Sequence, residues 1–185
     1  MTTTHRAGLG CIASALLAAL TVACGAAEGS DTSRIAERSA GPDPVDACTV
    51  VPAGAFASIV GGEAKTMGDV STMGDGWYSN CWFTGEGGLF GEGRLYLMLN
   101  AMFEPSKTSR QLGEFIAAQT AKSDDDSITP PEPAEGFSEP AVQFFHNELG
   151  MHVVMVQHGA YWVQAFAPDL DNATQAMRIV LEHAP

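Results

Sequence analysis

The pattern of apolar and polar positions changes character several times along the chain. From Ala7 to Ala23 no residue is charged, and the run follows Arg6 and a short polar start. From Gly25 to Val45 the apolar period disappears among Gly, Ala, Ser, Glu and Asp, with Pro42 and Pro44 near its end. Structure-bearing patterns begin after that. Pro52 suits a first helical position, and Phe56, Ile59 and Val60 form a small apolar stripe that Gly61-Gly62 closes. Two strands are predicted next, over Glu63–Met67 and Tyr78–Thr84, separated by a Gly and Asp loop and followed by a glycine-rich turn from Gly85 to Gly93.

Leu95, Leu97, Leu99, Ala101 and Phe103 then alternate with Tyr96, Met98, Asn100 and Met102, which predicts a strand with at least one buried face. Ser106 to Lys122 reads as a helix, with Thr108 and Gln111 at capping-box spacing and Leu112, Phe115 and Ile116 turned inward. Ser123 to Pro140 reads as loop. Val142–Asn147, Met151–Gln157 and Ala160–Ala167 predict a meander, with His158-Gly159 as a two-residue turn. A last helix follows Pro168, its apolar face made by Ala173, Ala176, Met177, Val180 and Leu181. The expected order is α-βββ-α-βββ-α. Consecutive strands favour antiparallel pairing, so the predicted class is α+β, helices packed on an antiparallel sheet.

The apolar start carries a specific chemistry. A charged beginning, an apolar middle and a small-residue finish make an export signal. The run is too short and too rich in Ala and Gly for a strong spanning helix, which needs about 20 apolar residues. Its end, Leu20-Thr21-Val22-Ala23-Cys24, has the form of a bacterial lipobox, in which the cysteine thiol takes lipid. An ordinary peptidase site is the competing reading, since Thr21 and Ala23 also suit cleavage before Cys24. Residues 1–23 are therefore read as a lipoprotein signal peptide, 24–45 as a flexible tether, and 46–185 as one α+β domain. Several acyl chains on Cys24 would anchor the protein stably. Gly25, rather than Asp, follows the cysteine, and resemblance to sorted lipoproteins implies the outer membrane in a cell that has one.

Charge narrows the partners. The formal charge is −13, and removal of residues 1–23, with one basic and no acidic residue, takes it to −14. Such a surface argues against nucleic acid and against attraction to anionic lipids. Of the four cysteines, Cys11 leaves with the leader and Cys24 is used for lipid, which leaves Cys48 and Cys81 to pair in an oxidising compartment. A loop of about 34 residues closed this way gains roughly 3.5 to 4 kcal/mol on the chain-entropy model. The rival reading, a metal or redox pair, lacks a C-x-x-C and a close His.

Asp46-Ala47-Cys48-Thr49-Val50-Val51, a short helix ending in Gly-Gly, and Asn80-Cys81-Trp82 further on resemble a large family of uncharacterised bacterial envelope lipoproteins. That family opens with Cys-x-Leu-Leu-Thr and has a later Cys-x-aromatic. The resemblance implies a Cys48–Cys81 disulfide and a compact domain over about residues 46–185. It lends no catalytic chemistry and implies binding or sensing roles at the envelope. Pro52 stands where the family usually has a capping Thr.

Candidate sites divide into weak and open ones. The Gly85–Gly93 turn lacks the Lys and Ser/Thr of a P-loop, and Glu86 and Glu92 would repel phosphate. Asp124-Asp125-Asp126 lacks the spacing of an EF-hand. No Gly-x-Ser-x-Gly occurs, so no catalytic residue is assigned. If Glu148-Leu149-Gly150 is a three-residue loop, His146 stands opposite His152 and the pair could share zinc or copper, with Glu148 or a loop aspartate completing the shell; a one-residue change of loop length would put the two rings on opposite faces. No metal or cofactor is assigned. Leu89 and Phe90 form an apolar pair in the glycine-rich turn, read either as a contact for an envelope protein partner or as a side chain folded back beside Trp82. The favoured function is a lipid-anchored extracytoplasmic binding or accessory domain without catalysis. The alternatives are a small-ligand or metal-binding envelope sensor and a cryptic enzyme.

Overall fold

Strand alternation in the sequence translates into one sheet with two differently covered faces. In the computed structural model the described residues are 41–73, 75–102, 110, 112–118 and 127–184. They contain β1 (Lys65–Met73), β2 (Gly76–Thr84), β3 (Arg94–Met102), β4 (Glu132–Pro133), β5 (Ala141–His146), β6 (Met151–His158) and β7 (Tyr161–Ala167). The spatial order is β1-β2-β3-β7-β6-β5-β4, with every neighbouring pair antiparallel. Two meanders thus meet at β3 and β7, from Tyr96↔Phe166 to Asn100↔Trp162. Those two strands carry apolar residues on both sides, as central strands covered on both faces do.

One face holds the larger core. Trp77, Phe83, Leu95, Leu97, Leu99, Val154, Val156, Val163 and Ala165 point into it and are buried. The C-terminal helix, Leu170–Leu181, lies on this face through Ala173, Ala176, Met177 and Val180. Asp169 caps it, its carboxylate accepting from the Asn172 amide at 2.8 Å. The same core takes Phe56, Ile59 and Val60 from a 3-10 turn, Ala53–Phe56, and the short helix Ala57–Val60, which ends at Gly61 with φ 77°. Full burial of a side chain of this size contributes about 1.5 to 3 kcal/mol.

The Cys48–Cys81 disulfide, with Cα atoms 5.0 Å apart, ties the segment before that turn to β2. Ser79, fully buried, reinforces it: its hydroxyl oxygen accepts from the Ala47 amide at 2.8 Å and its proton goes to the Asp69 carbonyl at 3.1 Å. Gly68 lies opposite Cys81 on β1. A Cβ there would stand 1.9 Å from the Asn80 carbonyl oxygen and 2.9 Å from the Cys48 sulfur. The glycine is what lets the bridge sit against the strand.

The class is α+β with one disulfide, as the sequence predicts, and three details differ from expectation. The first strand runs from Lys65 to Met73, straight through the Gly68-Asp69 stretch expected to be loop. As an exposed edge strand it has no core face to fill, so apolar alternation is not required of it. A two-residue strand, Glu132–Pro133, forms inside the proline-rich loop by pairing Glu132 with Gln143 and Pro133 with Val142. Pro133 is tolerated because it sits at the sheet edge. The turn between β6 and β7 is Gly159-Ala160 rather than His158-Gly159, because His158 still pairs with Tyr161. Gly159 supplies the positive φ, 55°. The Thr108 and Gln111 capping box and the Asp124–Asp126 run lie outside the described residues.

Candidate functional site: an aromatic cavity on the second face

Residues that alternate away from the main core build the other face of the sheet. Pairing places Met67, Trp82, Tyr96, Phe166, Val153 and Phe144 in one row across six strands. Trp82 and Tyr96 lie with ring centroids 4.6 Å apart, and Tyr96 meets Phe166 edge-on at 5.1 Å. Residues 112–118 are helical and roof part of this row. Phe115 packs on Phe144 at 5.6 Å and on Trp162 at 5.7 Å, with Leu112 buried beside them. Among the described residues the roof covers part of the row. Between it and the sheet lies a cavity of about 490 Å³, walled by Trp82, Tyr96, Met98, Phe115, Phe144, Gln164 and Phe166, with Ser127, Ile128, His146 and Leu149 at one end.

That volume is within the usual range for small-molecule sites, about 300 to 1,000 Å³, and the apolar wall with a few polar groups is their usual chemistry. Burial, then the charge of Asp69, then Tyr78, push the Tyr96 phenol above its ordinary pKa, so it stays a neutral hydroxyl at physiological pH. Gln164 donates its side-chain amide to the Met98 sulfur, at 3.4 Å. His146 Nδ1, Asn100 Oδ1 and Trp162 Nε1 are buried with no hydrogen-bond partner among the described residues. A buried polar atom without a partner costs about 1 to 3 kcal/mol; the His146 ring lines the cavity, while its Nδ1 is itself closed off from solvent.

The histidines do not stand as the three-residue loop would put them. The turn has four residues, Asn147 to Gly150, so His146 pairs with Met151 and Phe145 with His152. Gly150, at φ 60°, donates its amide to the His146 carbonyl at 2.9 Å and closes the longer turn. His146 consequently faces the cavity, while His152 lies on the opposite side of the sheet against the Phe145 ring, at 4.9 Å. The proposed shared ion loses its geometry. Among the described residues no three His, Cys, Asp or Glu side chains gather as a metal site.

A Ser-Glu-His set stands elsewhere, at the far end of β6. The Glu139 carboxylate accepts from the Ser138 hydroxyl and lies 3.0 Å from His158 Nδ1. Because the carboxylate stands between them, the imidazole is not placed to take the serine proton, which nucleophilic catalysis requires. Those same hydrogen bonds, the Ser138 hydroxyl first, hold the Glu139 carboxyl below its usual range.

Phe90 does not fold back beside Trp82. It is 96% exposed at the end of a 3-10 turn, Gly88–Phe90, while Leu89, 38% exposed, borders a small hollow with Trp82 and Met67. Cys24 lies outside the described residues, and no helix among those residues is long and apolar enough to cross a membrane. The cavity residues were missed by sequence reasoning. The signal that could have found them is the second apolar register of β3, β7 and β2: Tyr96 and Met98, Trp162 and Phe166, and Trp82.

Comparison with family models, with curated proteins and with solved structures returns no match.

Proposed function

We propose that this chain is a lipid-anchored binding domain of the bacterial envelope, without catalytic activity, whose binding element is the aromatic cavity. In this reading residues 1–23 are removed, Cys24 carries the acyl chains, and the residues from 24 to about 40 tether the domain to the outer face of a membrane, the outer membrane where there is one; the tether ends earlier than Val45, since the Pro42 carbonyl accepts from Trp77 Nε1 at 3.0 Å and Val45 packs on the core. The resemblance to envelope lipoproteins with paired cysteines supports this assignment. The observation that carries the binding role is the cavity itself: six aromatic or apolar walls at a volume suited to a small molecule. With His146 and His152 on opposite faces, the cavity favours a small molecule over an ion shared by that pair, and the small-ligand variant of the sensor reading merges with this one.

N-phenylnaphthylamine, an uncharged aromatic probe whose emission rises in apolar surroundings, tests it. The protein should bind the probe saturably at one site, and Gln164→Trp, which fills the cavity from β7, should abolish that site without lowering Tm. Binding that never saturates, or that is the same in Gln164→Trp, overturns the assignment.

A second contact is supported by the exposure of Phe90. An aromatic side chain presented on a turn is the kind of anchor that contributes 2 kcal/mol or more at some interfaces. Phe90→Ser should leave Tm nearly unchanged and remove crosslinks to an envelope protein partner. Intact crosslinks in Phe90→Ser would end this reading.

A further inference from the structure

Resting on the reading of the cavity as a binding site, we infer that its ligand is an amphipathic monocarboxylate, a long-chain or aromatic acid with its body among the rings and its anionic head at one end. The inference comes from what stands next to the aromatic row. One register step along the strands from Met67, Trp82 and Tyr96, roughly 7 Å away, the same face carries Lys65, Thr84 and Arg94. This is also the end of the sheet at which His146 and Leu149 close the cavity wall. Arg94 is fastened toward it, its Nη2 donating to the Leu149 carbonyl at 3.4 Å.

The chain has only nine Lys and Arg against 22 acidic residues, and four of the nine lie among the described residues: Lys65, Arg94, Arg110 and Arg178. Two of these four share this one border. Arg110 is paired with Glu114, at 2.9 Å, and Arg178 lies over the Phe137 ring, whereas Lys65 and Arg94 make no ion pair within the described residues. Arg94 adjoins the cavity through Leu149, and Lys65 lines the neighbouring hollow that shares Trp82 with it; cations with no ion pair among the described residues attract an anion there, and an arginine fork matches a carboxylate.

Acidic residues limit the charge of the head. Glu92 and Glu148 are also at this end, both exposed, and the protein as a whole is strongly negative. A dianion or a polyphosphate would be repelled, while a single carboxylate is matched by the two local cations. Neutral apolar molecules would fill the walls and leave Lys65 and Arg94 unused.

The test uses the full chain carrying Cys24→Ala, which removes acyl chains that could compete, and two fluorescent probes: a dansyl-labelled long-chain fatty acid and its methyl ester. The acid should bind at least about tenfold more tightly than the ester, and salt should weaken the acid alone. Lys65→Gln with Arg94→Gln should bring the acid down to the level of the ester and leave the ester unchanged. Equal affinity for acid and ester in the wild type would overturn the head assignment while leaving the cavity as a binding site. Tight acid binding that survives both substitutions would overturn the role of this border. Failure of both probes to bind would overturn the head assignment together with the binding role on which it rests.

Discussion

Replacing Gly68 with alanine adds one methyl group where the chain has no room for it. The new Cβ would lie 1.9 Å from the Asn80 carbonyl oxygen and 2.9 Å from the Cys48 sulfur. Neither neighbour can turn away as a flexible side-chain tip would: one is backbone in β2, and the other is held by its bond to Cys81. To restore an ordinary contact, β1 must move off β2 by about 1 Å or more, beside the buried Ser79 that links Asp69 to Ala47. Overpacking of this kind costs about 1 to 3 kcal/mol. At about 2 to 4 °C per kcal/mol for a chain of this size, Tm should fall by roughly 2 to 12 °C. Gly113→Ala is the matched control. Gly113 lies exposed in the helix over residues 112–118 with nothing within 4 Å of its added Cβ, so the same methyl group should stabilise by about 0.5 to 1 kcal/mol. Calorimetry on both variants under non-reducing conditions measures the contrast. If Gly68→Ala melts with the wild type, the close seat of the disulfide against β1 is wrong.

Other outcomes follow from the same structure and sequence. Metabolic labelling with an alkyne fatty acid should mark the wild type and leave Cys24→Ala unmarked; equal labelling would end the lipid-anchor proposal. The Tyr96 pKa is raised in the fold, so its contribution to stability is fully present below the unfolded value of about 10 and is lost as pH rises through the higher folded value. Tyr96→Phe should therefore flatten the fall of stability at alkaline pH in urea titrations, leaving the part due to Tyr161, which burial and Asp43 raise in the same direction. An alkaline slope identical in Tyr96→Phe and wild type would count against burial of the phenol.

Much of the fold was legible because local patterns and burial agree. Leu95, Leu97 and Leu99 alternate and are all buried, and Ala173, Ala176, Met177 and Val180 recur at helical spacing and meet the sheet. Cys48 and Cys81 were paired by eliminating the other two cysteines, and they are joined. The edge strand past Met67 was not legible, since Gly68, Asp69 and Ser71 face no core and carry no alternation to read. The side taken by His146 turned on a single residue of loop length, which reverses a strand's faces and which no composition rule sets. The cavity was hidden for another reason. Its walls come from β2, β3, the helix over 112–118, β5 and β7, brought together by the long-range pairing of β3 with β7 and by β6 between β7 and β5.

The central claim is that the cavity holds a small ligand in the protein's own setting, and native mass spectrometry of the mildly extracted chain measures that directly. The wild type should carry a stoichiometric adduct of small-molecule mass that collisional activation releases, and Gln164→Trp, prepared in parallel, should fly without it. A wild type at bare mass, or an adduct retained equally by Gln164→Trp, would contradict the account.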